Sequence, residues 1–314
     1  MRILVIGAGA TGGYFGARLV QAGHDVTFLV RPARADALRR RGLRLTGLGE
    51  PEERVEPRLL TAAEVSEGSG AEPYDLILLT VKATGLARAV EDFAPLVGPG
   101  TVILPVLNGL AHLGLLADRF GAHRVWGGVA KVITTLGDDG DIVRLAPMAA
   151  LGFGPLDGAD PGRAERTAAL FDAVAGMEAT ASADIVGDMW AKWSFIVTIS
   201  SVNILGRGSV GDVVAVPGGD ALGPAVFAEA AAVAAASGHE LAQDVRDMAV
   251  GMATGAGSPL TTSLYRDVAA GLPSEAEHLF GDLVARARAR RVPTPLLDLA
   301  TLQLRVQEGR LRTA

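Results

Sequence analysis

The chain has 314 residues, a length typical of about two domains that each bury their own core. Its net charge of −6 and pI of about 5.4 argue against nucleic acid or an anionic membrane as a partner, and the absence of cysteine excludes disulfides and thiol nucleophiles. Apolar residues are spread along the chain at a mean hydropathy of +0.31, without an uninterrupted run long enough to span a membrane and without a signal-peptide pattern after Met1. We therefore expect a soluble, cytoplasmic protein.

The first thirty residues predict a nucleotide-binding unit of strand, turn, helix and strand. Residues 2–6 form an apolar run typical of a strand buried on both faces, residues 11–22 have helical periodicity, and residues 26–30 form a second apolar run. Three glycines at G-x-G-x-x-G spacing join the first run to the helix: Gly7, Gly9 and Gly12. In this motif the first glycine permits a tight turn, the second lets a diphosphate approach the backbone, and the third lets the helix lie close to the strand. The N–H groups at the helix start, at Ala10 and Thr11, would face the phosphates; the alternative is a purely structural glycine turn.

The end of the second strand indicates which dinucleotide is bound. An NAD site places Asp or Glu there to hold the ribose 2′-hydroxyl, whereas an NADP site offers Arg to the 2′-phosphate. This chain has Arg31 at that point with Arg34 close behind, and Asp25 lies at the opposite end of the strand. The sequence therefore favours NADPH/NADP, unless Arg31 is one solvated arginine among many.

Two polar residues follow strands that we expect in the same parallel sheet. Residues 75–81 and 100–106 are apolar runs; Lys82 comes directly after the first, and Asn108 follows shortly after the second. Because ligands bind beyond the carboxyl ends of strands in open α/β sheets, both residues are expected on the cofactor side. The other elements predicted in this region are helices at 34–41, 86–96 and 110–120 and weak strands at 43–46 and 55–60.

The pattern changes after residue 120 and again after residue 181. An antiparallel extension is predicted from strands at 124–136, 141–145 and 149–153 with a hairpin turn at 137–140, followed by a helix at 163–175 and a strand at 178–181. From residue 182 strand signals nearly vanish, and helical periodicity occurs at 184–205, 219–237, 242–253, 274–290 and 295–307. We therefore predict a Rossmann-type α/β dinucleotide-binding domain over residues 1–181 and an all-helical substrate and catalytic domain over residues 182–314, with the ligand in the cleft between them.

Only three of the 29 basic residues are lysines: Lys82, Lys131 and Lys192. A lysine kept against that bias suggests a need for a compact ammonium group that can lose its proton, which arginine cannot do. Lys192 lies between Trp190 and Trp193 on a predicted apolar helix, so its ammonium should be partly desolvated. Burial makes an ammonium a readier proton donor, and Lys192 is therefore our general-acid candidate for reduction of a ketone. The alternative is a lysine whose stem lies along the helix surface with its charge in water.

Several short motifs occur in order along the chain: GAGATGGYFG at residues 7–16, the strand-end Arg31, Thr80-Val-Lys82-Ala, Leu107-Asn108-Gly109, Trp190-Ala-Lys192, Ser263 with Asp267, Gly271-Leu-Pro-Ser274-Glu275 followed by Gly281, and Pro293-Thr-Pro295. In this order they resemble the ketopantoate reductase family (2-dehydropantoate 2-reductase) over essentially the whole chain. The glycine motif alone is shared by many dehydrogenases, whereas the ordered set of Lys, Asn-Gly, Trp-x-Lys and Ser-Glu is specific.

The resemblance implies an NADPH-dependent reductase and gives roles to individual residues. Lys192 would donate the proton to the keto oxygen, and Glu275 would pair with it and keep it charged. Asn108 would orient the substrate carbonyl or the nicotinamide by hydrogen bonding. Ser263 would hold the substrate carboxylate, and Lys82 would lie by the cofactor ribose and the substrate end of the site. The sequence gives no role to Lys131.

Two positions depart from the family pattern where the substrate is recognised. The family carries asparagines one and two helical turns beyond the lysine; this chain has Ile196 and Ser200 there, and we place Ser200 with Ser263 and Lys82 among the substrate-binding residues. The resemblance favours reduction of ketopantoate to pantoate for pantothenate and coenzyme A synthesis. Since the two amides are lost, a different bulky or branched 2-oxo acid is the alternative. A non-catalytic NADP-binding sensor is a third hypothesis.

Without the resemblance, several of these residues have simpler explanations. Glu275 could be an acidic residue that stabilises a helix N-terminus, and Asn108 with Gly109 could form only a turn. The five histidines are scattered without metal-ligand spacing, so no metal site is predicted. The apolar helices of the second domain would suit either a homodimer interface or an internal core.

Overall fold

The chain folds into two compact units, Met1–Ile185 and Val186–Ala314. The computed structural model describes residues 1–69, 72–157, 160–172 and 174–313. The predicted fold class is confirmed, because the first unit is a Rossmann-type α/β fold and the described residues of the second unit form helices but no strands. The division follows Ile185, where the helix that opens the second unit begins.

The first unit is built on a parallel sheet flanked by helices. Its strands are β1 (Arg2–Ile6), β2 (Asp25–Leu29), β5 (Arg58–Leu60), β6 (Leu76–Leu79) and β7 (Val102–Pro105). The helices of this region are α1 (Ala10–Gln21), α2 (Pro32–Arg41), α3 (Ala62–Ser66), α4 (Leu86–Phe93) and α5 (Ala111–Phe120), with 3₁₀ turns at Ala83–Gly85, Ala94–Leu96 and Ala122–Arg124. The spatial order is β5-β2-β1-β6-β7, so the direction of winding reverses between β1 and β6. Ligands of open α/β sheets bind at such a switch point.

The strands of this sheet read as continuous apolar runs because both faces are covered. In β1, Ile3 and Val5 pack into the hydrophobic core on one face, whereas Leu4 and Ile6 pack into the core on the other. A strand with one solvated face would alternate apolar and polar residues instead.

A second sheet holds the remaining strands: β3 (Leu43–Gly47), β4 (Glu53–Val55), β8 (Trp126–Leu136), β9 (Ile142–Pro155) and β10 (Glu178–Ala181). The predicted hairpin is present, since β8 and β9 pair antiparallel around residues 137–140. Its second arm is one strand rather than the two predicted, and β9 also pairs parallel with β3 and β10. The helix predicted at 163–175 is the shorter α6 (Pro161–Ala169), and residue 173 lies outside the described residues.

The single strand predicted at 55–60 is wrong, because two strands in different sheets occupy this stretch. β4 pairs antiparallel with β3 in the second sheet, and β5 pairs parallel with β2 in the main sheet. Pro57 lies between them and has no N–H to donate to a ladder. The proline therefore marks the point at which the chain passes from one sheet to the other.

The second unit consists of α7 (Ile185–Gly206), α8 (Val210–Val214), α9 (Gly219–Ala236), α10 (Gln243–Ala253), α11 (Ser263–Ala269), a π-helical segment (Glu277–Gly281), α12 (Asp282–Arg290) and α13 (Pro295–Thr313). The long helices were predicted from periodicity, but α8 and α11 were not, because each is too short to show a repeat. Their cap residues are the signal that was missed: the Ser209 side chain accepts from the N–H of Asp212, and that of Thr262 from the N–H of Tyr265.

Among the described helices, α9 alone has the length and mean hydropathy of a candidate membrane span, with 39% of its 18-residue window buried inside the fold. Its Glu229 carboxylate accepts the N–H groups of Leu296 (3.0 Å) and Leu297 (2.9 Å) and so caps the start of α13. Core helices have the same composition as such spans. The cytoplasmic location therefore stays a prediction.

Candidate active site

The predicted cofactor residues line one edge of the main sheet in a fixed spatial order. Arg31 follows β2, the glycine turn follows β1, Lys82 follows β6 and Asn108 follows β7, and these four strands are consecutive neighbours. Their carboxyl ends are level, since Ile6 pairs with both Leu29 and Leu79, and Leu79 pairs with Pro105. Three strand spacings separate β2 from β7, about 14 Å. The structure thus brings together the four positions that the sequence singled out in this unit.

Each of the three glycines of the turn is explained by a different structural requirement. Gly7 has φ +96°, a left-handed conformation that favours glycine, and its N–H donates to the Leu29 carbonyl at 2.9 Å. A Cβ on Gly12 would overlap the Thr80 hydroxyl and the Gly7 carbonyl, so this glycine lets α1 lie against the strand ends. A Cβ on Gly9 would meet no atom of the described chain within 4 Å. Packing within the protein therefore does not explain Gly9, whereas the approach of a ligand does.

The start of α1 is suited to an anion. Gly9 is its N-cap residue and supplies no side-chain cap to the first N–H groups, those of Ala10 and Thr11, and Gly9, Ala10 and Thr11 are all half-buried. N–H groups at a helix start, together with the positive end of the helix dipole, bind phosphate groups. The glycine turn and the helix start together therefore fit the diphosphate of a dinucleotide.

Thr80 is a residue of this edge to which sequence reasoning gave no role. Its hydroxyl donates to the carbonyl of Ile6 at 2.8 Å and lies 3.2 Å from that of Gly7, and its N–H also donates to Ile6. Thr80 therefore fixes the first two residues of the turn from the neighbouring strand. It belongs to the segment Thr80-Val-Lys82 that carried the family resemblance, which was the signal for it.

The two arginines near the end of β2 have different environments. Arg31 is exposed at the N-cap of α2. Arg34 is half-buried; its Nε donates to the Ala8 carbonyl at 3.1 Å, and its Nη2 is buried without a partner among the described residues. Burial lowers the pKa of Arg34, and the charge of Asp141 acts in the opposite direction. Arg31 is therefore accessible to a phosphate, whereas Arg34 supports the glycine turn through its hydrogen bond to the Ala8 carbonyl.

The guanidinium of Arg34 also lies against the hairpin turn of the second sheet. Gly140 in that turn has φ +80°, and a Cβ there would lie 2.5 Å from Arg34 Nη1. Arg34 therefore lies between the hairpin and the glycine turn and contacts both of them. No motif in the sequence indicated this connection.

Lys82 and Asn108 extend the same edge beyond the glycine turn. Lys82 is exposed and precedes the 3₁₀ turn Ala83–Gly85, whose last N–H donates to the Lys82 carbonyl at 2.9 Å. Asn108 is half-buried and precedes Gly109, which has φ +77°. Both residues therefore lie at tight turns that follow strand ends; the sequence predicted the strand ends but not the turn at Lys82.

In the second unit, α7 carries Lys192 in a stretch whose two tryptophans, Trp190 and Trp193, are buried and pack against each other. The rings of Trp190 and Trp193 have centroids 4.9 Å apart, and Lys192 is half-buried. The indole N–H of Trp193 donates to the Leu279 carbonyl at 3.1 Å, and the Leu279 N–H donates to the Glu275 carbonyl at 3.0 Å. Trp193 therefore joins the part of α7 that bears Lys192 to the segment that begins at Glu275. Residues Glu277–Gly281 of that segment are π-helical, a rare form that is frequent at functional sites.

Ser200 and Ser263 have opposite exposures although they are close to each other. Ser200 is fully buried and its hydroxyl donates to Thr262 Oγ1 at 3.0 Å. Ser263 follows directly as the first residue of α11 and is exposed. Ile196, one turn after Lys192 on α7, is half-buried. The structure thus keeps the Ser200 hydroxyl inside the unit and presents that of Ser263 at the surface.

Other features do not compete with this site. A cavity of about 620 Å³ is lined by Val97, Gly98, Pro99, Phe120 and Arg124 among others, and it lies before β7, at the amino edge of the sheet. Within the described ranges, His, Asp and Glu side chains form no group of three that could hold a metal ion.

Two family models match consecutive parts of the chain. The model described as "Ketopantoate reductase PanE/ApbA" matches residues 3–158, and the one described as "Ketopantoate reductase PanE/ApbA C terminal" matches residues 184–308. The chain belongs to the ketopantoate reductase family. The family predicted from the ordered motifs is therefore confirmed, and the protein is an oxidoreductase of this family.

The chain matches its relatives over nine-tenths or more of its length. The chain is 31% identical to 2-dehydropantoate 2-reductase of Archaeoglobus fulgidus, over 91% of this chain and 90% of that protein. It is 29% identical to the Bacillus subtilis protein named uncharacterized oxidoreductase YkpB, over 98% and 99% of the two chains. A crystal structure of a PanE/ApbA family ketopantoate reductase from Ralstonia eutropha JMP134 matches with a TM-score of 0.86 at 27% identity, covering 99% of this chain and 100% of that one.

Proposed function

We propose that this oxidoreductase uses NADPH to reduce a 2-oxo acid to a 2-hydroxy acid, with ketopantoate to pantoate as the leading reaction. The observation that carries the proposal is the setting of Lys192, which is half-buried on α7 in a stretch that the Trp193 indole joins to the segment following Glu275. Membership of the family supports the same chemistry. Pantothenate and coenzyme A synthesis is the corresponding role.

The edge of the main sheet supplies the residues for the cofactor. The N–H groups at Ala10 and Thr11 would bind the diphosphate beside Gly9, and the exposed guanidinium of Arg31 would bind the 2′-phosphate. Arg31 is the reason for proposing NADPH over NADH, because an arginine rather than an acidic residue stands at the end of β2, where an NAD site would hold a ribose hydroxyl. When bound, the nicotinamide supplies a hydride to the carbonyl carbon of the substrate.

The side chains of the second unit would handle the proton. Lys192 Nζ donates a proton to the keto oxygen as the carbon is reduced, which produces the hydroxyl group and leaves a neutral amine that water reprotonates. The Glu275 carboxylate keeps Lys192 charged before this step. Asn108 donates a hydrogen bond to the carbonyl and so orients it, and Ser263 holds the carboxylate of the acid with Lys82 at the same end of the site.

A second candidate is reduction of a 2-oxo acid with a hydrocarbon side chain, and the geometry of α7 favours it. Ile196 and Ser200 stand where the family pattern has asparagines, and the Ser200 hydroxyl already donates to Thr262. A polar substrate group beyond Lys192 would find no free amide at these two positions. A missing hydrogen bond to a substrate hydroxyl can cost several orders of magnitude in discrimination.

One assay tests both candidates. NADPH oxidation is followed with ketopantoate and with 2-oxo acids of matched size that lack its hydroxyl, and each is repeated with NADH. The leading proposal expects the highest kcat/KM with ketopantoate and NADPH; the second expects it with a hydrocarbon side chain. Tight NADPH binding without turnover on any 2-oxo acid would contradict both and favour a sensor. The homodimer stays a prediction, to be checked by light scattering.

A further inference from the structure

A group of buried polar side chains on α7 holds the segment that leads to Ser263. Asn203 is fully buried, and its Oδ1 accepts the Thr262 N–H at 3.0 Å. Its Nδ2 donates to the carbonyls of Leu260 at 3.2 Å and Gly208 at 2.9 Å. One amide side chain thus uses its acceptor and both donors to fix an irregular stretch of backbone.

Ser200 adds a second contact from the same helix to the same residue. Its hydroxyl donates to Thr262 Oγ1 at 3.0 Å, and that oxygen also accepts the Tyr265 N–H at 3.2 Å as the cap of α11. Thr262 is therefore held at its backbone by Asn203 and at its side chain by Ser200. Ser263 follows directly, so the position of its hydroxyl depends on these contacts.

The preceding residues are held mainly by backbone. The N–H of Val210 donates to the Leu260 carbonyl at 3.1 Å, and that of Gly211 donates to the Ser258 carbonyl at 2.8 Å. The Leu260 carbonyl would therefore keep a partner without Asn203, whereas the Thr262 N–H would lose its acceptor. Loss of Asn203 should therefore act at Gly208 and Thr262, whereas loss of Ser200 should act at Thr262 and its neighbour Ser263.

We propose that Asn203 and Ser200 are positioning residues, which set the Ser263 hydroxyl for the carboxylate of the 2-oxo acid without touching the substrate. The inference rests on the proposed function of Ser263. Lys192 and Asn203 lie 11 residues apart on α7, about 16 Å along its axis. One rigid helix therefore fixes both the proton donor and the group that holds the carboxylate. Ser200 replaces a substrate contact by a contact within the protein.

The first test compares Ser200→Ala with Ser201→Ala. Both residues are fully buried neighbours on α7 and lose the same atom, but the Ser201 hydroxyl has no partner within the described part of the chain. Loss of one hydrogen bond in Ser200→Ala should raise KM for the 2-oxo acid about three- to tenfold, with kcat and NADPH affinity unchanged. Ser201→Ala should leave KM unchanged. Equal KM values for the two variants would overturn the inference.

A second measurement needs neither substrate nor cofactor. Amide hydrogen exchange at Thr262 should be faster in Asn203→Leu than in the parent protein. Thr198→Val is the control, because Thr198 is fully buried on α7 and its hydroxyl donates only to the Ser194 carbonyl of the same helix. Unchanged exchange at Thr262 in a folded Asn203→Leu protein contradicts the inference. If that variant does not fold, exchange is read in Asn203→Ala, which also removes the acceptor of the Thr262 N–H.

A double-mutant cycle separates this inference from the proposed function. Ser263→Ala alone should raise KM, and Ser200→Ala should then add little in that background, because it acts through Ser263. If Ser200→Ala adds its full effect, the positioning role fails while the role of Ser263 stands. If Ser263→Ala leaves KM unchanged, the role of Ser263 fails and the inference fails with it.

Discussion

The two units hold their candidate site residues by different means. In the first unit the candidate site is formed mainly by backbone features: the positive φ at Gly7, the missing Cβ at Gly12 and the N–H groups that follow Gly9. In the second unit buried side chains position the candidate residues: the Trp193 indole donates to the segment that follows Glu275, and the Asn203 amide oxygen accepts from Thr262. Backbone sites depend on residue spacing within one short stretch. Side-chain sites depend on contacts between distant segments, which spacing does not reveal.

Removing the ammonium of the second unit should have the largest effect. Lys192→Ala removes the proposed proton donor, and general acid catalysis contributes about 10²- to 10⁴-fold, so kcat should fall by that factor with NADPH affinity unchanged. Stopped-flow or steady-state NADPH oxidation measures kcat, and fluorescence titration measures affinity.

Lys131→Ala is the matched control, since Lys131 is exposed on β8 and has no proposed role. It should retain parent activity. A Lys192→Ala enzyme as active as Lys131→Ala would mean that the proton comes from another group.

Two glycine substitutions test whether the backbone of the first unit forms the cofactor site. Gly9→Ala places a methyl group in space that no described atom occupies, so thermal stability should change little while NADPH affinity falls at least about tenfold. Gly12→Ala places it against Thr80 and Gly7, so the unfolding free energy should fall by about 1–3 kcal/mol. Isothermal titration and thermal melts measure the two quantities. Unchanged affinity in Gly9→Ala would show that the ligand lies elsewhere.

Substitutions of the two arginines near β2 should have different effects: Arg31 should determine the preference for NADPH over NADH, and Arg34 should support the glycine turn. Arg31→Ala should weaken NADPH by about 10- to 100-fold and leave NADH unchanged, because a charged hydrogen bond contributes about 1.5–3 kcal/mol. Arg34→Met should weaken NADPH and NADH equally, because Arg34 contacts the Ala8 carbonyl rather than a phosphate. If Arg34→Met discriminates between the two dinucleotides and Arg31→Ala does not, the assignments are reversed.

The smallest effect is expected from a side-chain pair of the first unit that has no role in the site. Arg18 on α1 and Glu53 on β4 pair at 2.5 and 2.9 Å, and this hydrogen bonding lowers the pKa of Glu53 below its ordinary value of 4.5. Because the pKa is lower in the folded chain, the pair stabilises above about pH 4.5 and this contribution is lost as the pH falls through the folded pKa. Glu53→Gln should lower stability at pH 7 by about 1 kcal/mol, or about 2–4 °C in Tm.

Melts at pH 7 and pH 3 check this expectation. The difference in stability between parent and Glu53→Gln proteins should be smaller at pH 3 than at pH 7, with NADPH affinity at pH 7 the same in both. A loss of affinity would show that side chains of the first unit also shape its cofactor edge.

The fold was predictable wherever the signal was local. The glycine turn, the strands buried on both faces and the long helices each follow from one short stretch of sequence. The division of residues 53–60 between two sheets was not, because β4 and β5 are three residues each and their partners are elsewhere in the chain. The short helices α8 and α11 carry cap residues but no repeat.

The same distinction applies to the site. The placement of Arg31, Lys82 and Asn108 at the carboxyl edge of the sheet could be predicted because each follows a strand that the sequence reveals. The contacts of Arg34 with Ala8 and of Asn203 with Thr262 could not, since they join residues that are distant in the sequence. Ser200 was recognised only as a departure from the family pattern, and its partner became evident from the fold.

The contact between Gly140 and Arg34 places a residue of the second sheet next to the side chain that holds the glycine turn. Any side chain at Gly140 must both adopt an unfavourable φ and displace the guanidinium that holds Ala8. The hairpin of the second sheet therefore constrains the Arg34 side chain, and through it the Ala8 carbonyl of the glycine turn. Mutant libraries aimed at changing the preferred coenzyme would gain from varying this hairpin along with the turn itself.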